Sequence, residues 1–209
     1  MSTTVRRNAD AKAAYHHGDL RNALLAAARA LVSEGGIDGF GLREVSRRAG
    51  VSHTAAYNHF ANRSALVEAL VIEAFAALTA ALRAAEFGAT DPLRRLQDVG
   101  VAYVRFAYER QAEFRFMFRP EHCPDPGSAS VELRAATSAA YAPLADAIAA
   151  ALSAGAIAGN AQTLALTAWS GVHGLASLIV DGPLRNEALD SATVEALARS
   201  VTSTLIGRA

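Results

Sequence analysis

Between Arg43 and Arg63 the chain concentrates side chains whose chemistry suits a polyanion. Arg43, Arg47, Arg48 and Arg63 supply positive charge for phosphates. Ser52, His53, Thr54, Tyr57, Asn58 and His59 supply hydrogen-bonding groups of the kind that meet base edges. Phosphate contacts set register, and base-edge contacts carry sequence information. The competing reading of these residues is a small helical hairpin with a solvated charged face. Upstream, His16 and His17 stand side by side in Tyr15-His16-His17-Gly18-Asp19. Adjacent histidines point to different faces of a helix, and no further ligand is near in sequence. His17 is therefore expected at a DNA edge or in a cap rather than on a metal.

A second set of chemically useful residues lies further on. Tyr103, Phe106, Phe114, Met117, Phe118, Tyr141, Trp169 and His173 could line an apolar pocket with a few polar groups, the usual make-up of a small-molecule site. Aromatic residues at helical spacing also build ordinary core, and both readings stay open. Trp169 and His173 are four residues apart and share one helical face. Catalytic patterns are missing from the sequence: there is no HExxH, no GxSxG and no carboxylate–histidine cluster. Glu121-His122-Cys123 are consecutive, and three consecutive loop residues rarely converge on one ion. No catalytic residue, metal or cofactor is expected.

The elements that must hold these residues are helical throughout. Alanine is abundant and no segment sustains period-2 alternation, so the fold class is all-α, with about nine helices. A first helix is expected over Leu20–Glu34, ended by Gly35-Gly36. Leu42, Val45 and Ala49 form the apolar face of a short helix, and Ala55 and Phe60 serve the next one, placed at His53–His59. Gly50 between them permits a sharp turn with positive φ, and Ser52 stands at an N-cap position. This is the layout of a helix-turn-helix. A longer helix runs from about Arg63 to Ala85. Helices at Leu93–Arg110, Ala112–Phe118, Ser130–Leu152 (with Pro143 as a kink), Ala161–Val180 and Ser191–Ile206 complete the chain.

The helix-turn-helix segment resembles the N-terminal domain of the tetracycline-repressor (TetR) family. The matching residues are F-x-L-R-E-V at Phe40–Val45, A-G-V-S at Ala49–Ser52 and Y-x-H-F-x-x-R-x-x-L at Tyr57–Leu66. Gly41 departs from the family's usual Thr or Ser N-cap. Trp169-x-x-x-His173-Gly174 is similar to the Trp-His-Gly signature of one C-terminal domain class of that family. The Tyr103–Phe106 and Phe114–Phe118 stretches and Tyr15–Leu20 extend the similarity. The resemblance implies a ligand-responsive homodimeric transcriptional regulator, acting as a repressor in the family's usual mode. It implies double-stranded palindromic operator DNA and a small apolar or amphipathic effector as partners. It also implies a four-helix dimer interface from the last two helices, here carried by Gly171, Gly174, Leu175, Leu178, Val194, Leu197, Val201 and Leu205. On this reading residues 1–62 are the DNA-binding domain and 63–209 the effector and dimerisation domain.

Composition agrees. The 209 residues are 52% hydrophobic and formally uncharged overall. The charge is uneven: residues 1–63 hold nine Lys/Arg against five Asp/Glu, a net +4, and residues 64–209 hold eleven against fifteen, a net −4. Cys123 is the only cysteine, which excludes an intramolecular disulfide, and the polar start lacks a secretory signal, so a cytoplasmic location is expected. Ala147–Val180 contains no Asp, Glu, Lys or Arg. A membrane hairpin is rejected because Gly155, Gly159, Asn160 and Gln162 interrupt the run. A helical protein-binding adaptor is the main competing function. It leaves the Arg43–Arg63 chemistry unexplained, and an all-α enzyme is the weakest alternative.

Overall fold

Six short polar side chains set where the helices begin. Ser52, Asn62, Asp91, Ser130, Asn160 and Asp190 each accept a hydrogen bond from a backbone N–H three residues on, at 2.7–3.1 Å. Each cap of this kind is worth about 0.5–2 kcal/mol. The computed structural model describes residues 20–34, 41–86, 90–122 and 129–206. Among them are α1 (20–34), α2 (Leu42–Ala49), α3 (His53–Tyr57), α4 (Arg63–Glu86), α5 (Pro92–Glu109), α6 (Gln111–Met117), α7 (Val131–Ser153), α8 (Ala161–Val180) and α9 (Ser191–Ile206). Short 3-10 turns occupy Pro120–His122 and Pro183–Asn186. The fold is all-α. His17, Gly35, Gly36, Phe40 and Cys123 lie outside the described residues.

The chain divides into two compact units between Val71 and Ile72. In the first, Leu24, Leu25, Ala28 and Val32 of α1 are buried with Leu42 and Val45 of α2, Ala56 of α3, Phe60, and Leu66 and Leu70 of α4. Each Leu, Val or Phe side chain among these contributes roughly 1.5–3 kcal/mol on burial. The Arg21 guanidinium lies over the Phe60 ring, 5.4 Å from its centroid. Two positions differ from the sequence expectation. Ser46, not Ala49, takes the third buried place on α2, and its hydroxyl is satisfied by donating to the Leu42 carbonyl at 2.6 Å. On α3 the fully buried residue is Ala56, while Ala55 is half-buried.

The second unit is arranged around α5, which packs on α7, α8 and α9. Its buried residues, from Leu96 through Val99, Gly100 and Tyr103 to Ala107, cover most of its circumference, as a central helix requires. Gly100 allows the closest approach: a Cβ there would sit 2.6 Å from Thr202 Cγ2 and 3.2 Å from Val172 Cγ1. Polar ties join α5 to α9, with Arg199 donating to Asp98 at 3.0 Å and Gln97 to Ser203 at 2.6 Å. The helix α7 continues through Pro143, whose side chain is fully buried. By length and composition α4, α7 and α8 are apolar enough to cross a membrane. In this fold Leu78 and Leu82 of α4, Ala147 and Ile148 of α7, and Val172, Ala176 and Ile179 of α8 are buried inside the helical unit.

Candidate functional site

The polar surface of the first unit is built on a rigid turn. Gly50 closes α2 at φ 69°, ψ 26°, a left-handed conformation that is costly for residues with a Cβ. Its N–H bonds the Arg47 carbonyl at 3.3 Å and that of Val51 bonds the Ser46 carbonyl at 3.0 Å. Ser52 then caps α3 by accepting from Ala55 N–H at 3.1 Å. With Ala56 held in the core, Thr54, Tyr57 and Asn58 are turned to solvent, and Tyr57 is 48% exposed. His53 packs edge-on against Tyr57, ring centroids 4.7 Å apart, and so fixes the direction of the phenol. The helix ends at Tyr57, two residues earlier than the sequence suggests. Asn58 is its C-cap, and half-buried His59 belongs to the following turn.

Several arginines lie around this surface. Arg47 pairs with Glu44, with Nε at 3.0 Å, and Arg48 pairs with Glu34 of α1, with Nη1 at 2.6 Å. These guanidinium hydrogen bonds hold both carboxyls below the ordinary carboxylate range. Arg43 and Arg63 are exposed, one on α2 and one in the first turn of α4, whose N-terminal N–H groups add positive potential. The surface therefore offers hydrogen-bonding side chains on α3 flanked by guanidinium groups.

The second unit contains a cavity of about 290 Å³. Each surrounding helix contributes residues at helical spacing: Phe75, Leu78 and Leu82 from α4, Val99, Gly100 and Tyr103 from α5, Thr137, Tyr141 and Leu144 from α7, Trp169 and Val172 from α8. Thr202 and Leu205 of α9 complete one side. Behind this wall the Tyr103 hydroxyl bonds His173 Nδ1 at 2.7 Å. Burial holds the Tyr103 phenol above its ordinary range, opposed in smaller measure by a hydrogen bond from Trp169, so it stays protonated. Burial lowers the His173 pKa, which favours neutral imidazole. Hydroxyl and imidazole thus share one hydrogen bond behind the wall, its direction set by the His173 tautomer.

Of the residues expected at a pocket, Tyr103, Phe118, Tyr141 and Trp169 line the cavity. Phe106, Phe114, Met117 and His173 do not. Phe106 and Met117 are buried, with the Arg110 guanidinium 5.7 Å from the Phe106 ring centroid. Phe114 and His173 form a second layer, their tilted rings 5.5 Å apart centroid to centroid and 5.0 and 4.8 Å from that of Phe118. His122 bonds the Phe116 carbonyl through Nδ1 at 2.8 Å.

The residues expected at a dimer face also divide. Gly171 spends its missing side chain inside the chain, where a Cβ would collide with Leu205. Leu175 and Val194 are buried core, and Leu197, Val201 and Leu205 are half-buried. Gly174 and Leu178 are exposed, with open space where a Gly174 Cβ would stand. They belong to a stripe on α8 at every fourth position, Gln162, Leu166, Ser170, Gly174 and Leu178, all exposed.

Residues 24–70 match the family model described as bacterial regulatory proteins, tetR family. Residues 96–205, just over half of the chain, match the model for the C-terminal domain of tetracyclin repressor-like proteins. The chain belongs to the TetR family. A protein of unknown function from Rhodococcus sp. RHA1 is 34% identical, with a TM-score of 0.79 over 93% of this chain and 97% of that one. The TetR family transcriptional regulator PfmR from Thermus thermophilus is 19% identical, with a TM-score of 0.67 over 88% and 97%. The fatty acid degradation regulator FadR from Bacillus halodurans is 14% identical, with a TM-score of 0.72 over 90% and 95%. The last two share the fold at identities too low to carry more. No curated protein matches the chain.

TetR family members are DNA-binding transcription regulators, generally without enzymatic activity. Within this TetR chain, sequence reasoning overlooked the aliphatic share of the cavity wall. Leu78, Leu82, Val99, Leu144 and Val172 read as plain core, and in a sequence they are indistinguishable from it. The usable signal was that four separate helices carry apolar stripes near an aromatic residue.

Proposed function

We propose that this TetR family protein is a cytoplasmic, effector-responsive homodimer that represses transcription by binding palindromic operator DNA. The observation that carries the reading is α3, whose Thr54, Tyr57 and Asn58 are exposed on a turn fixed by Gly50 and Ser52. Tyr57, Asn58 and their neighbours Ser52, His53, Thr54 and His59 are assigned to base edges and adjacent sugars. Arg43 and Arg63 are assigned to phosphates, with His17 in the preceding arm. Residues 1–62 make the DNA-binding part and 63–209 the effector and dimerisation part. The exposed, uncharged stripe of α8 supports two copies meeting there. Two-fold symmetry then doubles the base contacts and matches a palindrome.

The cavity between α4, α5, α7 and α8 is assigned to the effector. An effector shifts the population only by preferring one form, so it must bind more tightly to the form that cannot hold DNA. Selection of random duplex DNA by the purified protein tests the reading, with a Tyr57→Ala, Asn58→Ala variant as control. Enrichment of a palindrome by the wild type alone is expected. Equal, unstructured retention by both proteins at low salt would refute it. Within a selected site, Arg63→Ala should weaken all sequences alike, and Asn58→Ala should relax preference at particular base pairs.

A further inference from the structure

We infer that the effector is an uncharged, largely hydrocarbon molecule of about 10–14 heavy atoms, with one hydrogen-bonding group that meets the Tyr141 hydroxyl. The inference rests on the effector-responsive reading and narrows its chemistry. Its basis is how the few polar groups of the cavity wall are already employed.

No Asp, Glu, Lys, Arg or His lines the cavity among the described residues. Three of its hydroxyls are already engaged within the protein. Thr202 donates to the Ala198 carbonyl at 2.8 Å, and Thr137 to the Arg134 carbonyl at 3.0 Å. Tyr103 is held by His173 at 2.7 Å. Apart from Phe118, which follows α6, and Leu205 in the last turn of α9, the wall's backbone groups lie within helices. Tyr141 is different. It lines the cavity and is 43% exposed, and its hydroxyl has no hydrogen-bond partner among the described residues. With Trp169, which is 40% exposed, it lies where the cavity meets solvent.

This distribution discriminates between ligand classes. A carboxylate or ammonium carried past Tyr141 and Trp169 into the cavity would lose its water and find no counter-charge, which is among the costliest exchanges in a protein interior. It would have to enter as its neutral form. A hydrocarbon gains by leaving water wherever it lies in the cavity, and one hydroxyl, ether or carbonyl oxygen suffices to use Tyr141. Size follows from volume. A cavity near 150 Å³ accommodates a benzene ring, and about 290 Å³ is roughly twice that.

The chain's single tryptophan lies in the cavity wall, so its emission reports occupancy directly. The full-length protein is titrated at pH 8 with 1-decanol, decanoate and decylammonium, each below its micelle concentration. The expected result is a saturable change in Trp169 emission with decanol. Both ions should bind at least about 100-fold more weakly, since at this pH only about one carboxylic acid in a few thousand is protonated. Tyr141→Phe should weaken decanol by about 2–10-fold, the worth of one neutral hydrogen bond. Decanoate or decylammonium binding within threefold of decanol would overturn the neutral-ligand inference and leave the effector reading intact. Unchanged decanol affinity in Tyr141→Phe would overturn the anchor. No response to any of the three would overturn the cavity as an effector site, and this inference with it.

Discussion

Replacing Gly100 with alanine tests whether the contact between α5 and α9 is as close as the structure has it. The new Cβ would stand 2.6 Å from Thr202 Cγ2 and 3.2 Å from Val172 Cγ1. Carbon pairs prefer about 3.5–4.0 Å, so one neighbour must retreat by about 1 Å. Thr202 has little freedom to do so. It is 5% exposed and its hydroxyl is held by the Ala198 carbonyl at 2.8 Å. Overpacking of this kind costs about 1–3 kcal/mol. Alanine returns about 1 kcal/mol through its better helix propensity. The net loss for Gly100→Ala is then about 0–2 kcal/mol. Thr202→Ser removes the colliding methyl and by itself costs about 0.8 kcal/mol of lost burial. In the Thr202→Ser background, Gly100→Ala should turn neutral or stabilising by up to about 1 kcal/mol. The coupling between the two sites should be about 1–3 kcal/mol. Urea unfolding followed by circular dichroism measures all four proteins. Additive effects, with coupling below about 0.3 kcal/mol, would show that α5 and α9 do not approach here.

Other perturbations address the remaining features. Gly50→Ala has open space around its Cβ but a φ of 69°, so it should cost about 1–2 kcal/mol from backbone strain alone and lower Tm by several degrees; an unchanged Tm would mean the turn is not left-handed. Leu178→Glu places a charge on the exposed stripe of α8, where Leu178 is 45% exposed. Light scattering should find monomers with unaltered helicity, whereas a persistent dimer would move the interface elsewhere. His173, its pKa lowered by burial, binds a proton more readily unfolded than folded. Its contribution is therefore complete above the unfolded pKa near 6.5 and declines as pH falls below it, by at most about 1.4 kcal/mol per unit. His173→Gln should flatten that limb of the pH–stability curve, and an unaltered slope would show that the imidazole is not held neutral.

Local signals in the sequence proved informative where one residue decides the backbone. Ser52 at the start of α3, Gly50 at its preceding turn and Asn160 at the start of α8 each have the side chain that the local conformation demands. Accordingly the limits of α8 and α9 coincide with those read from the sequence. What stayed hidden depends on distance in space rather than along the chain. Arg47 and Glu44 are one helical turn apart, so their pairing was readable, but Arg48 meets Glu34 on another helix. Phe114 and Phe118 sit on the same stretch of chain, yet only Phe118 reaches the cavity. Small residues are ambiguous in the same way. Gly171 and Gly174 look alike in sequence, and one admits a neighbour from its own chain while the other faces solvent.

The stretch from Ala147 to Val180 carries no ionisable side chain other than His173. Subunits that meet through such a surface have no like charges with which to repel a related but incorrect partner. Discrimination between relatives in the same cell then falls to shape, to whether a bulky Leu166 or Leu178 finds a Gly174 or Ser170 opposite it. Steric codes of that kind change with one substitution. In the proposed dimer, such a surface would leave a duplicated gene free to form mixed dimers until a single added methyl group or carboxylate separated the two lineages, and each mixed dimer would join two unlike reading heads.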